Sequence, residues 1–243
     1  MQPTKEWLEV YEQKRVFLSC PADLNAYFTA DAIVGKKLDR LSIGTVSLPS
    51  GQVIVCDPLV FLSERSEPFF LSVPPGEYEV VLAAVTPDDD DCARYAAARV
   101  RFSDAETVRY KEALIGDENL LDFDGDYFGF GVDAGLACIC DAQTRDAYAI
   151  FEKDWQAKAG RGANLYDDYF ADLFSESYEK YPQYQREGGD WLNWQIPGTN
   201  WHIPIFASGF GDGVYPVFFG CDVEGNICSL VVHLINIGQE YAN

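Results

Sequence analysis

The stretch LSIGTVSLPSGQVIVCDPLVFLSERSEPFFLSVPPGEYEVVLAAV (residues 41–85) decides the fold. It breaks into short runs rich in Val and Leu, and the breaks fall at Pro49-Ser50-Gly51 and at Pro74-Pro75-Gly76. Proline lacks the amide proton that a helix interior or a central strand needs, and glycine lets the chain turn tightly. Apolar alternation between such breaks predicts antiparallel strands joined by turns.

Upstream, residues 4–15 predict a short amphipathic helix, with Thr4 as its cap and Trp7, Leu8 and Tyr11 on one face. Downstream, the four aspartates 88–91 follow Pro87 and read as a solvated hairpin tip. A short helix is expected over 104–115, then a strand pair within YFGFGVDAGLACICDA (127–142). Helical spacing covers 144–180, broken at Gly160-Arg161-Gly162. Residues 181–204 are aromatic, Pro- and Gly-rich and irregular, and 203–235 read as a C-terminal β-meander with strands near 203–207, 214–221 and 226–235. With a β-rich core at 41–141 and no repeat or linker, the expectation is one α+β domain, mostly antiparallel sheet, with an N-terminal helix and a helical insertion.

Charge sorts the partners. The 243 residues carry 39 Asp and Glu against 18 Lys and Arg, a net −21, so nucleic acid and anionic membrane are poor partners and a basic protein is a good one. Past Arg186 there is no Lys or Arg, and the charges left are Glu187, Asp190, Asp212, Asp222, Glu224 and Glu240. The N-terminal stretch is charged throughout and no run is long and apolar enough for a membrane span, so a cytoplasmic protein is expected. Seven cysteines with no CxxC pair predict reduced core thiols, and the spacing of Cys138 and Cys140 puts both on one face of a strand.

Three Gly- and Asp-containing segments are candidates for chemistry: 55–61, 131–141 and 208–220. Asp57, Asp133 and Asp212, with His202, would form a hydrolytic or metal-assisted set if the fold gathered them. The competing structural roles are turn capping by Asp57, amide bonding by Asp133 and a hairpin start at Asp212. DFDGDYFGFGVD (122–133) places Asp122, Asp124, Asp126 and Asp133 at calcium-loop positions, but Tyr127 stands where the sharp turn needs glycine and Asp133 where a bidentate Glu belongs. GFGDG (209–213) lacks the Lys and Ser/Thr of a phosphate loop. Ser208 with His202 or His233 and Asp212 has no nucleophile-elbow spacing, and neither Cys56 nor Cys221 has an activating neighbour in sequence. No metal or cofactor is expected.

Taken together, VxVCDPLV (53–60), PPGEYEV (74–80), VDAGxxCICD (132–141) and SGFGDGVYPVFFGCDVEGNI (208–227) resemble an uncharacterised bacterial family, domain of unknown function 4241, from about Leu41 to Leu234. That label carries no activity. In composition and layout such proteins are similar to immunity proteins of bacterial toxin systems, which implies a non-catalytic inhibitor that steers onto a basic toxin domain. The expected contact residues are Asp190, Trp191, Trp194, Trp201, Asp212, Asp222 and Glu224, with the tryptophans as anchors. The alternatives are a hydrolase or metal-dependent enzyme using Asp57, Asp133, Asp212 and His202, and a small-molecule-sensing module.

Overall fold

The computed structural model of the chain describes residues 2–86, 92–123 and 126–242; the aspartates 88–91 and Asp124 lie outside them. Helix α1 (Lys5–Lys14) starts where expected, because the Thr4 hydroxyl accepts the Trp7 amide at 3.1 Å and satisfies one orphan donor of the first turn. A short α2 (Ala26–Thr29) follows. The strands then run β1 (Ala32–Ile33), β2 (Lys36–Leu48), β3 (Val53–Cys56), β4 (Gly76–Thr86), β5 (Arg94–Arg101), β6 (Arg109–Glu112), β7 (Phe130–Val132) and β8 (Leu136–Asp141). Helices α3 (Ala142–Ala159) and α4 (Ala171–Lys180) come next, with one π-helical turn at Tyr166–Phe170 leading into α4. The chain closes with β9 (Trp191–Gln195), β10 (His202–Ala207), β11 (Gly213–Tyr215), β12 (Val217–Cys221), β13 (Ile227–His233) and α5 (Ile237–Glu240).

These elements stack in three layers. A seven-stranded antiparallel sheet, ordered β1-β2-β4-β5-β13-β12-β6, faces a four-stranded sheet ordered β3-β8-β10-β9, and helices α3 and α4 cover the second sheet's outer face. The middle layer explains the continuous apolar run of β8, since a strand covered on both sides has no solvent face. Alternation still assigns its side chains: Ala137 and Ile139 enter the core between the sheets with Val53 and Val55, while Leu136, Cys138 and Cys140 pack under the helices with Ile54 and Cys56. The two sheets are pinned by Asn193, whose amide nitrogen donates to Thr45 O at 2.9 Å and whose oxygen accepts from Thr45 N at 3.0 Å. Gly44, in the β2 irregularity beside it, has φ +104°, and a Cβ there would lie 2.0 Å from the Asn193 amide.

The α+β class, the N-terminal helix and the helical insertion are as the sequence predicts, and the insertion breaks at Gly160. Three local expectations are corrected. Residues 104–115 hold no helix: Tyr110 and Glu112 of β6 point inward at a period of two, and pairing with β12 outweighs the helical propensity of KEAL. β7 and β8 are not paired with one another, because β7 forms a small ribbon with β11 while β8 lies between β3 and β10. The C-terminal strands are no single meander either: β10 belongs to the four-stranded sheet and only β12 and β13 form a hairpin in the large one. The seven cysteines are free thiols, with Cys56 and Cys138 directly opposite across β3 and β8 and their sulfurs 3.9 Å apart.

Candidate functional site

The three Gly- and Asp-containing segments do meet. Asp57 follows β3, is fully buried, and its carboxylate accepts four backbone amides: Leu59 and Val60 on Oδ1 at 2.9 and 3.3 Å, Asp133 and Ala134 on Oδ2 at 3.1 and 2.7 Å. Asp212 reaches the same β7–β8 turn from the β10–β11 loop and accepts the Gly135 amide at 3.1 Å. The Ser208 amide donates to Gly135 O at 3.0 Å, which ties that loop to the turn through the backbone as well. The convergence is a clamp: with two donors on each of its oxygens, the Asp57 carboxylate is spent on holding two turns together. The side chains of Asp133 and Asp212 are exposed beside it.

The catalytic set does not close. His202 opens β10, and five strand steps, roughly 17 Å, separate it from Ala207 at the end next to the clamp. Its amide donates to Ser47 Oγ at 2.9 Å. The Ser208 hydroxyl donates to the Gly211 carbonyl at 2.9 Å and the residue is buried. His233 is buried on β13, with Nε2 3.0 Å from the Tyr27 hydroxyl, and burial pulls its pKa down to about 4, which keeps the ring neutral at pH 7. No group of three or more His, Cys, Asp or Glu among the described residues could hold a metal ion.

The contact residues expected at 190–224 do not form one surface. Trp191 and Trp194 sit three positions apart on β9 and so point to opposite faces; Trp191 enters the core between the sheets and Trp194 packs under α3 and the π turn, at 6% and 3% exposure. Neither can anchor a partner. Asp190 is buried in an ion pair with Arg186, whose Nε and Nη2 lie 2.9 and 2.5 Å from Oδ1. Trp201 is half-buried against the helix-side core. Asp222 and Glu224 sit in the β12–β13 turn, where Asp222 Oδ1 caps the Glu224 and Asn226 amides at 3.0 and 2.8 Å. Of the seven, Asp212 bonds the β7–β8 turn and Asp190 lines the cleft beside it; the other five lie elsewhere.

What the clamp displays instead is apolar. Phe61, Tyr127, Phe210, Val60 and Val214 are each 44–51% exposed. A Cβ on Gly131 would touch the Phe61 ring at 3.5 Å, Gly131 pairs with Val214 across β7 and β11, and the Tyr127 hydroxyl donates to Val214 O at 3.1 Å. Phe210 lies under the Arg94 guanidinium, 5.3 Å from the ring centroid, and lines with Val60 a cleft of about 670 Å³. Asp133 and Asp212 stand at the rim of this patch. None of these exposed apolar residues was singled out by sequence; the signal available was that Val60, Phe61 and Phe210 occur inside or next to the Asp57 and Asp212 segments.

A family described as protein of unknown function (DUF4241) matches residues 46–232. The chain belongs to that family. The match spans Asp57, the β7–β8 turn and the β10–β11 loop, so the clamp and the patch it carries lie within the family's domain. No curated protein and no solved structure matches the chain.

Proposed function

We propose that this protein is a non-catalytic binding protein for a basic protein partner, most concretely a cytoplasmic immunity protein that neutralises a cognate bacterial toxin domain. The observation that carries the reading is the exposed patch of Phe61, Tyr127, Phe210, Val60 and Val214 with the carboxylates of Asp133 and Asp212 at its rim. Aromatic residues at the centre and charges at the rim are the distribution of a protein interface, in which the centre supplies affinity and the rim sets partner and association rate. A chain of net charge −21 steers a cationic surface onto such a site. No described helix is long and apolar enough to cross a membrane.

The test is capture of partners from the native host by the tagged protein, run beside Asp133→Lys and Phe61→Ala. A basic protein held by the wild type, released by moderate salt and lost from both folded variants supports the reading. Retention of the same partner by both variants, or a captured partner of acidic charge, overturns it. Because the Asp133 side chain is exposed and only its backbone amide is bonded to Asp57, the charge reversal leaves the clamp in place.

A further inference from the structure

On the other side of Phe210 lies a larger cavity, about 970 Å³, between β6, the β7–β11 ribbon and the segment entering α5. Its wall includes the aromatic rings of Tyr127, Phe128, Tyr215 and Phe218 and the carboxylates of Glu112 and Glu240. No lysine or arginine is among the described residues that line it. Glu112 is 1% exposed, and its two described hydrogen bonds, from the Phe128 and Gly129 amides at 2.7 and 3.0 Å, both fall on Oε1. Neither of these two bonds uses Oε2, and Glu112 lines the cavity. A buried carboxylate without a counter-ion is costly, and a cation seated between it and aromatic faces relieves that cost.

We propose that this cavity is a binding site for an aliphatic ammonium group, with Glu112 as its counter-ion and the aromatic rings enclosing the alkyl chain. The cavity shares Tyr127, Phe210 and Val214 with the exposed patch, whereas Glu112 lies outside the patch, and the proposal rests on Glu112 whether or not the patch binds a protein. The neutral His233 at the cavity wall adds no opposing charge above about pH 5. The other titratable groups around Glu112 are Glu118, Asp126, Tyr127, Cys20 and Glu240, which are acids, and Lys111, the preceding residue of its own strand, which points to the opposite face. Burial, with a smaller contribution from Glu118, raises the Glu112 pKa to about 7, so the ion pair is available above neutrality and weakens below it.

Two sources share this chemistry: a free small amine, and a lysine side chain presented by a polypeptide. The experiment is calorimetric titration of the full chain at pH 8 with n-hexylammonium, n-hexanol and hexanoate, and with a lysine capped at both ends. Hexylammonium should bind at least about tenfold more tightly than hexanol, hexanoate should not bind, and Glu112→Gln should abolish the tenfold preference while leaving the hexanol affinity. In the wild type the same preference should fall as pH drops through about 7, which tests the carboxylate without a substitution. Binding of the capped lysine at similar strength identifies a polypeptide side chain as a ligand the cavity accepts; binding of hexylammonium alone identifies a free amine. Equal affinity for hexylammonium and hexanol in the wild type, or a preference that survives both Glu112→Gln and pH 5.5, overturns the proposal.

Discussion

Asparagine at position 57 keeps the size of the side chain and replaces one acceptor oxygen with a donor. The Asp57 carboxylate takes Leu59 and Val60 on one oxygen and Asp133 and Ala134 on the other, all between 2.7 and 3.3 Å. Whichever way the asparagine amide turns, its NH2 group faces two backbone N–H donors, so two hydrogen bonds to a charged acceptor are lost and donor is set against donor. Each such loss is worth about 1–3 kcal/mol. Asp133 and Ala134 border solvent, and water entering there recovers part of the loss, which brings the expected destabilisation to roughly 3 kcal/mol. Urea unfolding reads it directly: with a slope of about 3 kcal/mol per molar for a domain this size, the midpoint of Asp57→Asn should fall by roughly 1 M with the slope unchanged. A loss under about 1 kcal/mol would refute the clamp, since no arrangement with four bonded amides survives the exchange so cheaply. A catalytic carboxylate predicts the reverse, a variant that unfolds where the wild type does.

Gly44→Ala should destabilise by more than about 2 kcal/mol, because its Cβ would meet the Asn193 amide at 2.0 Å and its φ is +104°. Asn193→Ala should lose about 1–2 kcal/mol with its two bonds to Thr45, and the double variant should lose less than the sum when thermal unfolding is compared in a double-mutant cycle. Glu112→Gln should flatten the dependence of stability on pH: the folded state holds the Glu112 proton more tightly than the unfolded chain, so its contribution is full below pH 4.5 and disappears by about pH 7, a change of roughly 3 kcal/mol. Urea midpoints of wild type and variant measured from pH 4.5 to 8 check this, and parallel curves would contradict it.

The sequence was most legible where one local pattern decided the outcome. Thr4 ahead of Trp7, Leu8 and Tyr11 marks α1, and Gly160 ends α3 with its φ of +90°. Runs such as GEYEVVLAAV identify strands because Tyr78, Val80 and Leu82 fall at a period of two and aromatic and β-branched residues suit a pleated sheet. Pairing was not legible, since a strand's neighbours are chosen across the whole chain: nothing in FGV or GVY states that β7 and β11 leave their sequence neighbours to pair with one another. The site was half legible. Asp57, Asp133 and Asp212 attract attention because carboxylates beside Gly and Pro are costly unless they bond to something, yet whether they bond to substrate or to amides depends on partners 76 or 77 residues away. Trp191 and Trp194 misled for a simpler reason: tryptophan serves interfaces and cores equally, and a spacing of three on a strand places the two on opposite faces. Glu112 was missed because RYKEAL carries helical residues in a segment that pairs as an edge strand.

Five of the ten arginines are engaged along the fold, while Arg15, Arg65, Arg101, Arg109 and Arg161 are exposed. Arg186 is paired with buried Asp190, Arg40 donates to the Ala30 carbonyl, Arg99 lies 4.2 Å over the Phe28 ring, and Arg94 lies over Phe210. Arg145 donates to Ser66 O at 2.5 Å as well as to Asp146. Cations engaged inside or along the fold leave carboxylates to dominate what a partner meets, and those carboxylates repel one another. Salt therefore acts on this protein in two opposite senses. Screening relieves self-repulsion and favours the folded state, while it weakens attraction to a basic surface. An interaction that disappears as salt rises is for this chain lost under conditions that favour its fold, so the loss reports on the interface and not on unfolding.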